Sequence, residues 1–147
     1  MKQLVRSDDS VSTLYLRVAD VNSSRTIIGH FNLQGAPTIG GLTGETVTKV
    51  GSATGKTTGQ ITATCVDVKL FDDITQQDIW ILCQQRANYG SSGQDSGAPV
   101  FIPYSPTNWN TPRLVGIHSS RVLGSPNRHF SPMTQIDYAL NYAYYFF

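Results

Sequence analysis

The chain is a succession of short apolar and β-branched runs, each cut off by glycine, proline, asparagine or aspartate before it reaches helical length. This punctuation predicts strands joined by turns along most of the sequence. Val11 to Val18 alternates, with Val11, Thr13, Tyr15 and Arg17 on one side and Ser12, Leu14, Leu16 and Val18 on the other, as a strand requires. A second strand is expected over Thr26–Leu33. Others follow near Thr46–Val50, Gly59–Val68, Asp78–Gln84, Ala98–Pro103 and Arg113–His118, with a last short one before Phe130. Gly35–Gly44, with Pro37 and paired glycines, is a turn-rich connection, and Pro103–Pro112 is a surface loop. From Ser131 the period changes. Ser131 can cap a helix with Pro132 at its first position, and Met133, Ile136 and Leu140 fall on one face. Strands followed by one terminal helix fit an all-β fold, a closed antiparallel barrel of about six strands.

A length of 147 residues gives room for one domain with a real core. The 11 basic and 10 acidic residues nearly cancel, so no electrostatic grip on nucleic acid or an anionic membrane is expected. No segment approaches the ~20 apolar residues of a membrane span. The opening Met1-Lys2-Gln3-Leu4-Val5-Arg6 has no apolar stretch of the signal-peptide kind. Ligand spacings for a metal are absent, and no cofactor is expected. Cys65 and Cys83 flank apolar runs that could pair as a hairpin. They are either two thiols or a disulfide, and a bond closing such a loop would stabilise by about 3 kcal/mol and imply an oxidising compartment.

Chemistry is concentrated in Gly93-Gln94-Asp95-Ser96-Gly97-Ala98-Pro99-Val100-Phe101. A serine on a tight turn that enters an apolar strand has flanking N–H groups able to face a developing oxyanion. The run resembles the Gly-Asp-Ser-Gly-x-Pro-Val nucleophile motif of chymotrypsin/trypsin-like serine peptidases, in particular their bacterial secreted branch. Val47–Gly59 resembles the segment that opens the second barrel of that family. Cys65 and Cys83 resemble a cysteine pair shortly before the nucleophile. Leu114–Ser120 is similar to the strand that lines the substrate backbone, and Phe130-Ser131-Pro132 to the segment leading into the terminal helix.

The resemblance covers roughly residues 40 to 145 and implies the second Greek-key barrel of such a peptidase over residues 35–147. Residues 1–34 would then correspond to the end of the first barrel and the connection. It implies Ser96 as nucleophile, Asp8 or Asp9 as the carboxylate that orients the catalytic histidine, and the N–H groups of Gln94 and Ser96 as the oxyanion hole. Ser91, His118, Ser119, Ser120 and Arg121 would bind substrate. Cys65 and Cys83 would be bonded, the complete protein secreted or periplasmic, and its partner a protein or peptide substrate.

Thr-Ala-[Ala/Gly]-His-Cys, the family's context for the catalytic base, does not occur. The base would therefore come from outside this chain, on a separate histidine-bearing N-terminal barrel. Of the three histidines, His30 falls inside a strand and His129 is expected at the surface. Gly116-Ile117-His118-Ser119 resembles a strand of glutamate-specific members whose histidine helps read an acidic side chain. Three positions depart from the family pattern. Gln94 stands where an oxyanion-hole glycine is usual, Ser52 where an arginine pairs with the aspartate before the nucleophile, and Arg121 where the pocket wall has glycine. Lys56 is one candidate substitute partner for Asp95, although Lys56 and Arg121 read more readily as surface charges than as site residues. The rival reading of these departures is a non-catalytic module that binds extended peptides.

Overall fold

A computed structural model describes residues 16–22, 24–33, 42–102 and 112–136. Among the described residues eight strands carry the fold. They are β1 (Leu16–Val21), β2 (Ile27–Leu33), β3 (Thr46–Gly51), β4 (Gly55–Asp72), β5 (Gln77–Ala87), β6 (Pro99–Ile102), β7 (Arg113–Arg121) and β8 (Arg128–Pro132). β3 to β8 close a barrel in the order β3-β4-β5-β8-β7-β6, with all neighbouring strands antiparallel. The expected six-stranded barrel is therefore present.

Alternation of side chains builds its interior. Val47, Ile61, Ala87, Tyr89, Val100, Ile102, Val115 and Phe130 form one buried cluster contributed by strands all round the barrel. Gly116 gives that core room: a Cβ there would stand 2.4 Å from Phe130 Cδ2 and 2.5 Å from the Ser131 carbonyl. Among the described residues β1 and β2 pair with each other alone, in a separate two-stranded sheet. This sheet packs on the outside of the barrel, where Val18 joins Phe101 and Leu114, with Phe31, Val50 and Met133 against them. Lys56 pins the same junction, pairing with Asp20 and lying 5.6 Å over the Phe31 ring.

Two expectations change at the element ends. β4 runs well beyond the expected Gly59–Val68 at both ends and β5 continues past Gln84 to Ala87, the two forming one long ribbon that turns at residues 73–76. Bulges between Ile61 and Val68 keep it registered despite broken alternation. Within it Cys65 and Cys83 are disulfide-bonded. At the other end Ser131 and Pro132 are the last residues of β8, and helix begins at 133, one residue later than the capping pattern suggested. β8 pairing holds Ser131 opposite Ile117 and Pro132 opposite Gly116, and this ladder prevails over local propensity. Among the described residues no helix is long and apolar enough to cross a membrane.

Candidate active site

Ser96 is exposed directly after a buried residue, and that contrast organises the site. A 3-10 turn, Gly93–Asp95, is closed by the Asp95 N–H donating to the Ser92 carbonyl at 3.1 Å. Asp95 then points inward with both side-chain oxygens saturated. Oδ1 accepts from the N–H groups of Ala53 (3.0 Å) and Thr54 (3.2 Å). Oδ2 accepts from Thr54 Oγ1 (2.6 Å), Ser92 N–H (2.9 Å) and Lys49 Nζ (3.1 Å). Gly51 leaves space for this carboxylate, because a Cβ there would lie 2.1 Å from Oδ1.

The cation facing Asp95 is thus Lys49 and not Lys56, which is engaged with Asp20 on the β1 side. Both side chains of the Lys49–Asp95 pair are fully buried. Burial opposes ionisation of Asp95, yet the donors from Thr54, Ser92, Lys49 and Ala53 together hold its pKa well below the usual carboxylate range. Burial pushes the Lys49 ammonium down, and Asp95 offsets part of that by hydrogen bond and charge. Ser52, standing where the resemblance expects arginine, instead donates its hydroxyl to the Gln94 carbonyl at 2.9 Å.

Beyond Ser96 the chain turns sharply into β6. Gly97 has φ +84, a left-handed conformation that favours glycine. Its N–H donates to the His118 carbonyl (2.9 Å), and the His118 N–H donates to the Ala98 carbonyl (2.8 Å). His118 is consequently locked beside the Ser96 turn. Its ring is 2% exposed, with Nδ1 2.9 Å from Tyr89 Oη. Burial, followed by the charge of Lys49, pushes the imidazole down to about 4, so the ring is neutral at pH 7. Tyr89 is pushed up by its own burial.

The remaining expected residues fall in the same region or outside the described residues. Ser91 is buried, and its Oγ has no partner among the described residues. Ser119 Oγ has two acceptors for its one proton, Gln84 Oε1 (2.9 Å) and the His129 carbonyl (3.1 Å). Ser120 is half-buried opposite His129, and Arg121 is exposed at the end of β7. His129 itself is 2% exposed and not at the surface as expected, because it is built into β8 between β5 and β7. Burial and then the Arg86 charge push its pKa down. His30 lies exposed on β2. Asp8 and Asp9 lie outside the described residues. Among the described residues no group of three metal-ligating side chains comes together.

Two buried neutral histidines make stability depend on pH. An unfolded histidine titrates near 6.5, whereas folded His118 resists protonation down to about 4. Below pH 6.5 the unfolded chain therefore binds more protons, and stability falls as pH drops from about 6.5 towards 4. For His118 alone the loss between pH 7 and pH 5 is about 2 kcal/mol. Urea denaturation should give a lower midpoint at pH 5 than at pH 7, and His118→Gln should shrink that difference. Equal differences in both proteins would show that His118 is not the responsible group.

Solved structures with the same architecture include bacterial serine proteases. A chymotrypsin from Cellulomonas bogoriensis is 20% identical, matches over 84% of this chain and 60% of its own length, and gives a TM-score of 0.60. Protease A of Thermobifida fusca is 18% identical over 85% of this chain and 57% of its own, with a TM-score of 0.62. A glutamic acid specific serine protease, described as using a histidine triad in substrate binding, is 22% identical over 92% and 63%, with a TM-score of 0.63. No family model matches the chain, and a search of curated proteins finds no match. The fold is that of the bacterial chymotrypsin-like serine proteases. The chain spans about three fifths of the length of these neighbours.

Proposed function

We propose that this chain carries the nucleophile and the substrate-binding wall of a trypsin-like serine endopeptidase. The observation that carries the reading is the placement of Ser96. It is exposed on a turn anchored by the buried Asp95 and joined by two backbone hydrogen bonds to His118 of β7. In the reaction Ser96 Oγ bonds to the scissile carbonyl carbon and its proton passes to a histidine supplied from outside this chain, oriented by Asp8 or Asp9. The C–N bond then breaks, the departing amine takes that proton, and water hydrolyses the acyl-enzyme. Substrate backbone pairs along Ser119 and Ser120, where β7 has no β6 partner in the register, which ends at Ile117 opposite Pro99.

A fluorophosphonate probe tests this reading. Covalent labelling that maps to the Ser96 peptide by mass spectrometry, and disappears in Ser96→Ala, supports it. A hydroxyl no more reactive than those of other serines counts against it.

One observation favours the non-catalytic reading. Glycine positions with positive φ do not include Gly93, and the positive-φ non-glycine residues do not include Gln94. The Ser92–Asp95 turn is accordingly of the type I kind, whereas a type II turn needs positive φ at its third residue. The two differ by a flip of the Gly93–Gln94 peptide, and the oxyanion hole expected from the resemblance needs the positive-φ form. In this conformation the module binds extended peptide with little turnover. Equal peptide affinity of the wild-type protein and Ser96→Ala would favour it.

A further inference from the structure

From Ala63 to Gln84 the strands β4 and β5 have no strand partner but each other among the described residues. They extend from the barrel as a two-stranded arm, bonded across by Cys65–Cys83 and turning at residues 73–76. Half of the large apolar side chains exposed among the described residues sit on this arm: Phe71, Ile74, Ile79, Trp80 and Leu82. The register sets Lys69 opposite Trp80 and Leu70 opposite Ile79, so Phe71, Trp80 and Leu82 share one face while Leu70, Ile79 and Ile81 share the other. A two-stranded ribbon is marginal in water on its own, and this one is apolar on both faces. The outer edge of β5 also carries no charge from Ile79 to Cys83. Proteins ordinarily blunt an exposed edge of that kind with lysine, proline or a cover.

We propose that the arm is a homodimerisation element: β5 of one copy pairs antiparallel with β5 of a second copy along Ile79–Leu82, giving a four-stranded sheet in the order β4-β5-β5-β4 across a two-fold axis. The free element is a strand edge, whose N–H and C=O groups are met by another strand. That edge is self-complementary when antiparallel. Asp78 stands at one end of the uncharged run and Arg86 beyond the other, so the acidic end of each copy meets the basic end of its partner, whereas a parallel pairing sets like charges together. An edge partner also brings apolar neighbours to both faces at once, while a partner laid on one face leaves the other wet. The exposed apolar side chains present on the order of 600 Å² per copy, so two arms together reach the ~1,200 Å² at which specific interfaces begin. Asp67, Asp72, Asp73 and Asp78 outnumber Lys69 on the arm, which disfavours anionic lipid or nucleic acid as the occupant. The first three of these lie on β4 and the turn, off the seam.

Analytical ultracentrifugation of the full 147-residue chain tests this. The wild-type protein should pass from monomer to dimer over the micromolar range and stop there. Trp80→Lys and Leu82→Lys place a charge in the seam and should each weaken the dimer about tenfold or more. Both positions are exposed, at 61% and 62%, so these variants are expected to fold. Ile27→Lys, on β2 and 69% exposed, should leave the dimer unchanged. Hydrogen exchange supplies a readout that needs no variant: amides of residues 78–82 should gain protection as wild-type concentration rises through the transition, and those of the 73–76 turn should not. A monomer at the highest soluble concentration would overturn the proposal. A dimer that survives both arm variants, or exchange at 78–82 that ignores concentration, would overturn the assignment to this edge. Assembly that continues past the dimer would overturn the two-fold pairing. Binding of the monomer to phosphatidylserine vesicles, lost in Trp80→Lys, would overturn the second copy in favour of a lipid surface.

Discussion

Lys49→Met will lower the stability of the fold by about 3 kcal/mol or more, a drop in Tm of about 10 °C for a chain of this size. The stem of methionine replaces most of the buried lysine chain, so the loss isolates the charge. Without Lys49 the Asp95 carboxylate keeps its donors from Ala53, Thr54 and Ser92 but has no cation in a site that water does not reach. Asp95→Asn strands the other member, a buried ammonium that keeps Thr54 Oγ1, 2.7 Å away, as a neutral acceptor but loses its countercharge. The double variant Lys49→Met/Asp95→Asn leaves neither charge and should cost clearly less than the sum of the singles. Urea titrations of the four proteins give the coupling energy. Strictly additive losses would mean that the pair is not what holds the nucleophile turn.

Lys49 was also the main site residue that sequence reasoning missed, although a signal was present. In β3 the period of two puts Lys49 on the same side as Val47 and Gly51, and Val47 is fully buried. A lysine in phase with core valine must find an anion, and the Lys49–Val100 register brings it beside the strand that follows Asp95. The serine at position 52, where the resemblance expects arginine, points instead to the nearby Lys56, which local pattern cannot distinguish from Lys49. The barrel strands were legible because turn residues bracket each apolar run. The reach of β7 to Arg121 was not, because a bulge between His118 and Ser120 breaks the alternation there. Burial of His129 was hidden for a related reason: its environment is made by β5 and β7, which are distant in sequence. Motif resemblance located Ser96 and Asp95. The conformation of the turn between Ser92 and Asp95 depends on a peptide orientation that no motif states.

That orientation carries the second large effect. Gln94→Gly removes the Cβ that disfavours positive φ, and lets the Gly93–Gln94 peptide flip to the type II form in which residue 94 can present its N–H to an oxyanion. One oxyanion-hole donor is worth about 10² to 10³ in rate. A peptide boronate, whose tetrahedral adduct on Ser96 places an oxyanion in the hole, should therefore bind Gln94→Gly about 100-fold more tightly than the wild-type chain. An ordinary peptide amide, which has no oxyanion, should change by no more than a few-fold. If boronate and amide affinities move together, the turn acts on peptide binding in general and the oxyanion hole is not its target. If neither moves, the type I turn is fixed by the Asp95 anchor and not by the side chain at residue 94, which would favour the peptide-binding module over the peptidase.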